Sequence, residues 1–220
     1  MIAEEIKKIH SELPQGVELC AVSKFHPAEA VKEAYDAGQR IFGESRVQEL
    51  LEKIKILPAD IKWHFIGHLQ TNKVRQLIGK TSLIESVDSL RLLELIDKES
   101  EKAGVVTRVL MQLHVAREET KFGFYPEELL EYFSARGFEN LKATHLCGVM
   151  GMASNTDDMT RVREDFHTIS DTHKRILEIA PDLQGFDTVS MGMSGDWPIA
   201  VEEGANLVRI GTAIFGIRNY

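Results

Sequence analysis

The chain has few of the features that mark secreted, membrane or disulfide-rich proteins. Among its 220 residues are only two cysteines, Cys20 and Cys147, each in an apolar, strand-like run. We expect reduced, buried thiols rather than a disulfide or a zinc motif. No apolar stretch approaches the roughly 20 residues of a membrane span. The charged, amphipathic start at 2–13 is not typical of a signal peptide.

Positive charge is also scarce. The 26 lysine and arginine residues are outnumbered by 34 aspartate and glutamate residues, so the formal net charge is −8. Because phosphate contacts require clustered cations, this balance argues against a nucleic-acid-binding protein and suits a cytoplasmic one. The hydrophobic fraction of 43% is enough for a sizeable core. With no linker or low-complexity segment, we predict one domain over 1–220.

Extended and helical patterns alternate from end to end. Strands are predicted at 18–23, 40–43, 62–66, 82–87, 105–115, 142–149, 186–191 and 206–211. Helices are predicted at 2–13, 27–37, 45–56, 71–79, 89–103, 126–135, 157–179 and 196–203. Eight strands separated by helices predict a (β/α)₈ barrel or a long doubly wound sheet. The count of eight, and the lack of Gly-x-Gly-x-x-Gly after the first strand, favour the α/β TIM barrel with an extra N-terminal helix.

Lys24 follows the apolar run 17–22 at the end of the first predicted strand. In a barrel this position faces the mouth where such folds do chemistry. A desolvated lysine there can lose its proton and form an imine with an aldehyde. Taken alone, the stretch is more typical of a solvated lysine that closes a strand.

The seventh strand alternates two kinds of residue. One face carries the apolar residues Val189, Met191 and Met193. The other face is small and hydroxylated, with Thr188, Ser190, Gly192 and Ser194. Because parallel strands are normally apolar on both faces, this pattern indicates either a ligand-facing surface or tight packing of small residues.

The eighth strand contains a cation and leads into a glycine-hydroxyl turn. Arg209 lies among apolar residues and needs an acceptor, which a salt bridge or a ligand could supply. Gly211 and Thr212 follow, and Thr212 can cap a short helix that favours an anion. Barrel phosphate sites commonly use the loops after strands seven and eight. A lysine, an arginine and a phosphate cradle would then meet at one mouth, as pyridoxal 5′-phosphate requires.

These segments resemble those of the pyridoxal phosphate homeostasis proteins, single-domain barrels related to the N-terminal domain of alanine racemase. The resemblance extends over nearly the whole chain in family order. The motifs that carry it are Ala21-Val22-Ser23-Lys24, Ile41-Phe42-Gly43-Glu44, Trp63-His64-Phe65-Ile66-Gly67, Leu69-Gln70-Thr71-Asn72-Lys73, Gly148-Val149-Met150, Ser190-Met191-Gly192-Met193-Ser194 and Val208-Arg209-Ile210-Gly211-Thr212-Ala213-Ile214-Phe215-Gly216.

The resemblance implies a role for each matching residue. Lys24 would carry pyridoxal 5′-phosphate as an internal aldimine, and Arg209 would lie near the pyridine nitrogen. His64 and Asn72 match motif positions near the barrel mouth. The phosphate-binding segments would be represented by Ser190, Ser194, Gly211 and Thr212.

The chain departs from the family pattern at several positions. Ser45 stands where asparagine is expected after Gly-Glu, and Phe25-His26 replaces the more usual Thr-Lys. His68 replaces a proline, and Gly195 replaces an aspartate or a similar residue. These departures affect contacts at the edge of the cofactor ring rather than the lysine itself.

The resemblance implies storage and delivery of the cofactor in intracellular vitamin B6 homeostasis, with little or no catalysis. An arginine at the pyridine nitrogen disfavours a ring proton and weakens carbanion chemistry. Racemisation also needs a second acid–base group, and no tyrosine lies in a motif segment. The tyrosines are Tyr35, Tyr125, Tyr132 and Tyr220. The alternatives are an amino-acid racemase, a lysine aldolase without cofactor and an interaction protein.

Further expectations concern partners and the remaining candidate residues. Alanine racemase completes its site across a dimer with a domain that this chain lacks, so we expect a monomer. Acceptor apoenzymes are the expected protein partners. The charged loop at 118–121 is typical of solvated surface, and the alternative is that Lys121 receives or relays the aldehyde during transfer. The His64/His68 spacing suits a metal only on a helix, and this segment is a strand and loop, so no metal site is predicted.

Overall fold

The computed structural model describes residues 1–118 and 122–217. Within this part of the chain, eight parallel strands pair in chain order and close into a barrel, the last strand beside the first. The strands are β1 (Glu18–Val22), β2 (Ile41–Glu44), β3 (Lys62–Phe65), β4 (Leu83–Val87), β5 (Thr107–Leu113), β6 (Thr144–Gly151), β7 (Thr188–Ser190) and β8 (Leu207–Ile210).

Helices surround the barrel. The α-helices are α1 (Ile2–Glu12), α2 (Ala28–Asp36), α3 (Val47–Ile56), α4 (Val74–Leu77), α5 (Leu90–Ala103), α6 (Pro126–Ser134), α7 (Met159–Ile179), α8 (Trp197–Glu202) and α9 (Thr212–Phe215). Short 3₁₀ helices occupy Thr71–Lys73 and Gly137–Asn140. None of the helices in the described ranges is both long enough and apolar enough to cross a bilayer.

The predicted barrel is confirmed, and its element boundaries move by a few residues. β1 ends at Val22, so Lys24 lies in the loop two residues beyond the strand. The helix predicted at 71–79 is instead a 3₁₀ turn followed by the four residues of α4.

Several helices begin or end at residues that favour a helix terminus. The hydroxyl of Ser89 accepts a hydrogen bond from the N–H of Leu92 at the start of α5. Gly104 ends the same helix in the left-handed region, with φ +67°. Pro126 is the first residue of α6, where its missing N–H costs no intrahelical bond.

Two apolar layers form the core. The larger layer fills the space between strands and helices and includes Phe42, Phe65 and Phe166. The smaller lies inside the barrel. Its members are Cys20, Ile41, Leu83, Leu110, Cys147, Met150 and Leu207. Both thiols are buried and free, as the sequence predicted.

The faces of β7 follow the predicted alternation only as far as the strand continues. Val189 and Met191 pack in the outer layer, and Ser190 is fully buried. Beyond Ser190 the chain turns through Gly192 at φ +93°. The alternation therefore ends, and Met193 and Ser194 both reach the cavity at the barrel mouth.

Candidate cofactor site

A cavity of about 270 Å³ opens at the carboxyl ends of the strands. Its walls come from loops that follow β1, β3, β6, β7 and β8, together with the ends of some of these strands. The lining residues are Val22, Lys24, Ile66, Met150, Met152, Met193, Ser194, Gly195, Arg209, Gly211 and Thr212. The fold thus brings the predicted lysine, arginine and glycine-hydroxyl turns into one cavity.

The loop that carries Lys24 is anchored on both sides of this residue. The N–H of Ser23 donates to the carbonyl of Gly43 on the neighbouring strand, at 3.0 Å. The N–H of Phe25 donates to Oε1 of Glu49 on α3, at 2.7 Å. Lys24 itself is partly buried, so its side chain reaches the cavity from a fixed main chain.

Backbone N–H groups and hydroxyls gather on the side of the cavity formed by the loops after β7 and β8. Gly211 occupies the N-cap of α9, and Thr212 is the first helical residue rather than the predicted cap. The hydroxyl of Ser194 accepts from the N–H of Ala213 at 3.3 Å. A Cβ on Gly211 would lie 3.1 Å from the carbonyl oxygen of Val22, so this close approach of β8 to β1 favours glycine.

Arg209 lines the cavity, and its guanidinium is hydrogen-bonded to residues beneath the cavity. Its Nη1 donates to Oγ of Ser190 at 2.5 Å, and its Nη2 donates to the carbonyl of Gly151 at 2.8 Å. Nη1 also lies 3.7 Å from Oε2 of Glu85. The two hydrogen bonds use two of the five N–H groups of a guanidinium, so the side chain can still donate to a ligand in the cavity.

Glu85 is the centre of a buried polar network under the cavity. Its Oε2 accepts from Ser190 at 2.6 Å, and its Oε1 lies 2.6 Å from Nδ1 of His64. Burial raises the pKa of Glu85, but the hydrogen bond and charge of His64, the charge of Arg209 and the bond from Ser190 outweigh it. The pKa of Glu85 therefore lies below its usual range, and its negative charge offsets the positive charge of Arg209.

Cys20, His64 and Glu85 bring three possible metal-ligand atoms within 4.8 Å of one another. Burial raises the pKa of Cys20 well above its usual value, and Glu85 adds to this effect. Glu85 already accepts hydrogen bonds on both oxygens, and Arg209 places a cation beside it. These contacts describe a hydrogen-bonded network rather than a cation site.

Three of the predicted site residues lie away from the cavity wall. Ser190 was predicted to bind phosphate, but it is fully buried and its hydroxyl is engaged by Glu85 and Arg209. His64 is buried inside the barrel rather than at its rim. Asn72 is exposed in a separate hollow beside α5, because the segment after β3 turns outwards into a 3₁₀ helix.

The residues that depart from the family pattern lie around the mouth. His26 stacks on Phe215 of α9 with ring centroids 5.1 Å apart. His68 pairs with Asp88 at 2.8 Å and stacks on Phe122 at 3.9 Å.

The remaining departures involve close backbone approach or open space. Ser45 is so close to Gly67 that a Cβ on the glycine would lie 2.7 Å from the Cβ of the serine. Phe25 adopts φ +68°, a conformation uncommon for residues other than glycine. Gly195 lines the cavity, and a Cβ there would meet nothing within 4 Å.

Sequence reasoning missed two groups of residues. Glu85 is an acidic residue within an apolar strand. Arg209 was singled out because it is a charged residue among apolar ones, and the same pattern could have identified Glu85. Glu44 likewise ends an apolar strand, yet it is fully buried beside Lys53. Lys121 and Tyr220 lie outside the described residues.

The fold and the cavity define a barrel of the alanine racemase type. The family model of the alanine racemase N-terminal domain matches residues 1–219. Alanine racemase of Clostridium difficile has the same fold, with a TM-score of 0.79 at 15% identity; the match covers 100% of this chain and 57% of that one.

Relatives with higher sequence identity identify one family within this class. The pyridoxal phosphate homeostasis protein of Aquifex aeolicus is 39% identical over 100% of this chain and 96% of its own length. The pyridoxal phosphate homeostasis protein of Haemophilus influenzae is 38% identical over 93% of this chain and 86% of its own length. PipY of Synechococcus elongatus PCC7942 is 37% identical over 98% of this chain and 100% of its own. Its TM-score is 0.93 for the structure without pyridoxal phosphate and 0.89 with it bound. The chain belongs to the pyridoxal phosphate homeostasis protein family.

Proposed function

We propose that this chain binds pyridoxal 5′-phosphate in the mouth cavity, holds it as an internal aldimine on Lys24 and serves in intracellular vitamin B6 homeostasis. The observation that carries the proposal is the shared cavity of Lys24, Arg209 and the glycine-hydroxyl turns after β7 and β8. The Synechococcus PipY structure with pyridoxal phosphate bound, on a fold of TM-score 0.89, supports the choice of cofactor.

The residues of the cavity fit the three parts of this cofactor. Lys24 supplies an amine for the aldehyde, and Ser194, Gly211 and Thr212 supply hydroxyl and backbone donors for the phosphate. The volume of about 270 Å³ is near the lower end of small-molecule sites. Methionine and isoleucine side chains line much of the remaining wall, which suits a flat aromatic ring.

Lys24 acts through its neutral amine. The amine adds to the aldehyde carbon, a carbon–nitrogen double bond forms and one water molecule leaves. Arg209, held by Ser190 and Gly151, would direct a remaining N–H group towards the pyridine nitrogen.

We further propose storage and delivery with little or no turnover. When bound, the cofactor supplies an electron-withdrawing ring for carbanion chemistry. Arg209 stays charged at physiological pH and so disfavours a proton on the ring nitrogen, which weakens that chemistry. Among the described residues that line the cavity, Lys24 alone has an acid–base group suited to proton transfer at Cα.

The tyrosines in the described ranges lie elsewhere. Tyr35 donates to Asp60 at 2.7 Å on the outer surface. Tyr132 packs against Phe133 on α6, and Tyr125 is exposed before the same helix. Their positions support a storage role over two-base racemisation.

Delivery to acceptor apoenzymes, a monomeric state and a cytoplasmic location complete the proposal. Two buried, free thiols support a reducing compartment.

The decisive experiment is an absorption spectrum of the purified protein with added pyridoxal phosphate. It is followed by borohydride reduction and mass mapping of the modified peptide. We expect a visible band that reduction removes and a single adduct on Lys24. Lys24→Ala should abolish both, whereas Lys80→Ala, which removes an exposed lysine, should change neither. An adduct on another residue, or none, would overturn the proposal.

Activity assays separate the rival functions. Loss of an α-deuterium from amino acids at catalytic rates, dependent on Lys24, would select a racemase instead. A colourless protein that cleaves sugar phosphates would select a lysine aldolase. A colourless protein that neither cleaves them nor responds to added pyridoxal phosphate would select an interaction protein.

A further inference from the structure

A buried charged cluster lies directly behind the loop that carries Lys24. It consists of Glu44 at the end of β2 and of Glu49 and Lys53 on α3. Glu44 is fully buried, and the side chain of Lys53 is only 6% exposed. Charged residues are rarely buried without a specific partner, so an ammonium group at this depth needs acceptors.

Lys53 is fully coordinated. Its Nζ donates to the carbonyl of Ser23 at 2.9 Å, to Oε1 of Glu44 at 2.6 Å and to Oε1 of Glu49 at 2.7 Å. An ammonium group has three donors, so these three acceptors satisfy it completely. The ammonium position is therefore fixed by three separate segments of the chain.

The cluster contacts the residues on either side of Lys24. On one side, Ser23 donates through its hydroxyl to Oε1 of Glu44 at 2.6 Å and accepts through its carbonyl from Lys53. On the other side, the N–H of Phe25 donates to Oε1 of Glu49.

Phe25 needs this support because its backbone is unfavourable for a side chain. Its φ is +68°, and non-glycine residues in this region persist only where the surroundings hold them. The hydrogen bond to Glu49 holds its N–H, and the guanidinium of Arg46 lies 4.4 Å from its ring centroid. Loss of the cluster would let residues 23–26 relax.

We propose that Glu44, Glu49 and Lys53 are positioning residues that hold the main chain on both sides of Lys24 in the geometry required for cofactor attachment. This inference rests on the proposed function. Correct placement of reacting groups controls rates strongly, and a displacement of about 1 Å can cost roughly 100-fold. The cluster does not touch the cavity; it acts through Ser23 and Phe25.

The test uses the full-length protein freed of cofactor and mixed rapidly with pyridoxal phosphate. The first readout is the rate at which the visible band forms. The second is hydrogen exchange of the Phe25 amide in the cofactor-free protein. We expect Lys53→Met to slow attachment by about tenfold or more and to speed exchange at Phe25. Lys55→Met makes the same change on the exposed face of α3 and should alter neither readout.

Glu49 gives a second, milder pair of variants. Glu49→Ala removes the acceptor for Phe25 and should slow attachment by about tenfold. Glu49→Gln retains a carbonyl acceptor and should restore the rate to within about threefold. A merely structural side chain would not show this rescue. Glu52→Ala, at an exposed position on the same helix, is the control.

Circular dichroism establishes that each variant is folded. If Lys53→Met does not fold, the Glu49 variants decide the matter. Folded Glu49→Ala with attachment and Phe25 exchange close to the wild-type values overturns the positioning role. In that case a wild-type adduct on Lys24 leaves the proposed function intact, so the two proposals fail separately.

Discussion

The carboxylate of Glu85 accepts a 2.6 Å hydrogen bond from the hydroxyl of Ser190, a residue 105 positions away in the chain. The same hydroxyl accepts from Nη1 of Arg209. Ser190 thus bridges an anion and a cation inside the barrel. Of the two serines in the seventh-strand motif, Ser190 supports Arg209 and Ser194 reaches the cavity.

This arrangement predicts different effects for the two serines. Ser190→Ala should lower the free energy of unfolding by about 1–3 kcal/mol, because it leaves buried groups on Glu85 and Arg209 without a partner. Ser190→Ala should leave unchanged the competition between inorganic phosphate and the cofactor, measured as the phosphate concentration that halves cofactor binding. Ser194→Ala should weaken that competition by about tenfold, since a hydrogen bond to a charged group is lost.

The measurements are denaturant unfolding and the phosphate concentration that halves cofactor binding. Thr188→Ala is a control, because it removes a partly exposed hydroxyl from the same strand. If phosphate competition falls strongly in Ser190→Ala and is unchanged in Ser194→Ala, then Ser190 binds the phosphate and Ser194 does not.

Glu44 predicts a pH dependence of stability. Burial raises its pKa from 4.5 to about 7, although the charge and hydrogen bond of Lys53 and the hydrogen bond of Ser23 lower it; Glu49 raises it further. Cys20, on β1, also interacts with this carboxylate. Because the folded pKa is raised, the stability that Glu44 contributes is fully present below about pH 4.5 and is lost as the pH rises through about 7.

Glu44→Gln has no such ionisation. Its unfolding free energy should therefore rise relative to wild type between about pH 4.5 and pH 7, by about 3 kcal/mol at about 1.4 kcal/mol for each pH unit. Urea unfolding at several pH values measures this difference. Glu52→Gln, exposed on α3, should show no trend. A difference that is constant with pH would mean that Glu44 titrates at its usual value.

Two glycines in the loop after β7 should respond differently to alanine. At Gly192, φ is +93° and a Cβ would lie 2.6 Å from the Cβ of Ala200. Gly192→Ala should cost about 2 kcal/mol or more of unfolding free energy. Gly195→Ala, where a Cβ meets nothing within 4 Å, should stay within about 0.5 kcal/mol. Thermal or urea unfolding measures both, and equal costs would contradict the geometry.

The sequence by itself determined the order of strands and helices, and so the barrel. Apolar periodicity, capping residues and glycine turns are local signals, and they placed Lys24 and the turns containing Ser194 and Gly211 close to one another. The carboxyl ends of parallel barrel strands all open on one face, so residues at those ends could be brought together without knowledge of packing.

Only the tertiary structure decided the partners of these residues. The stagger of eight strands determines which inward side chains meet, and this places Ser190 against Glu85. The turn after β3 points Asn72 outwards, although its motif position resembles that of a mouth residue. Lys53 reaches Ser23 because α3 packs against β2, the strand beside β1. Such contacts join segments far apart in the chain, and no local pattern contains the distance between them.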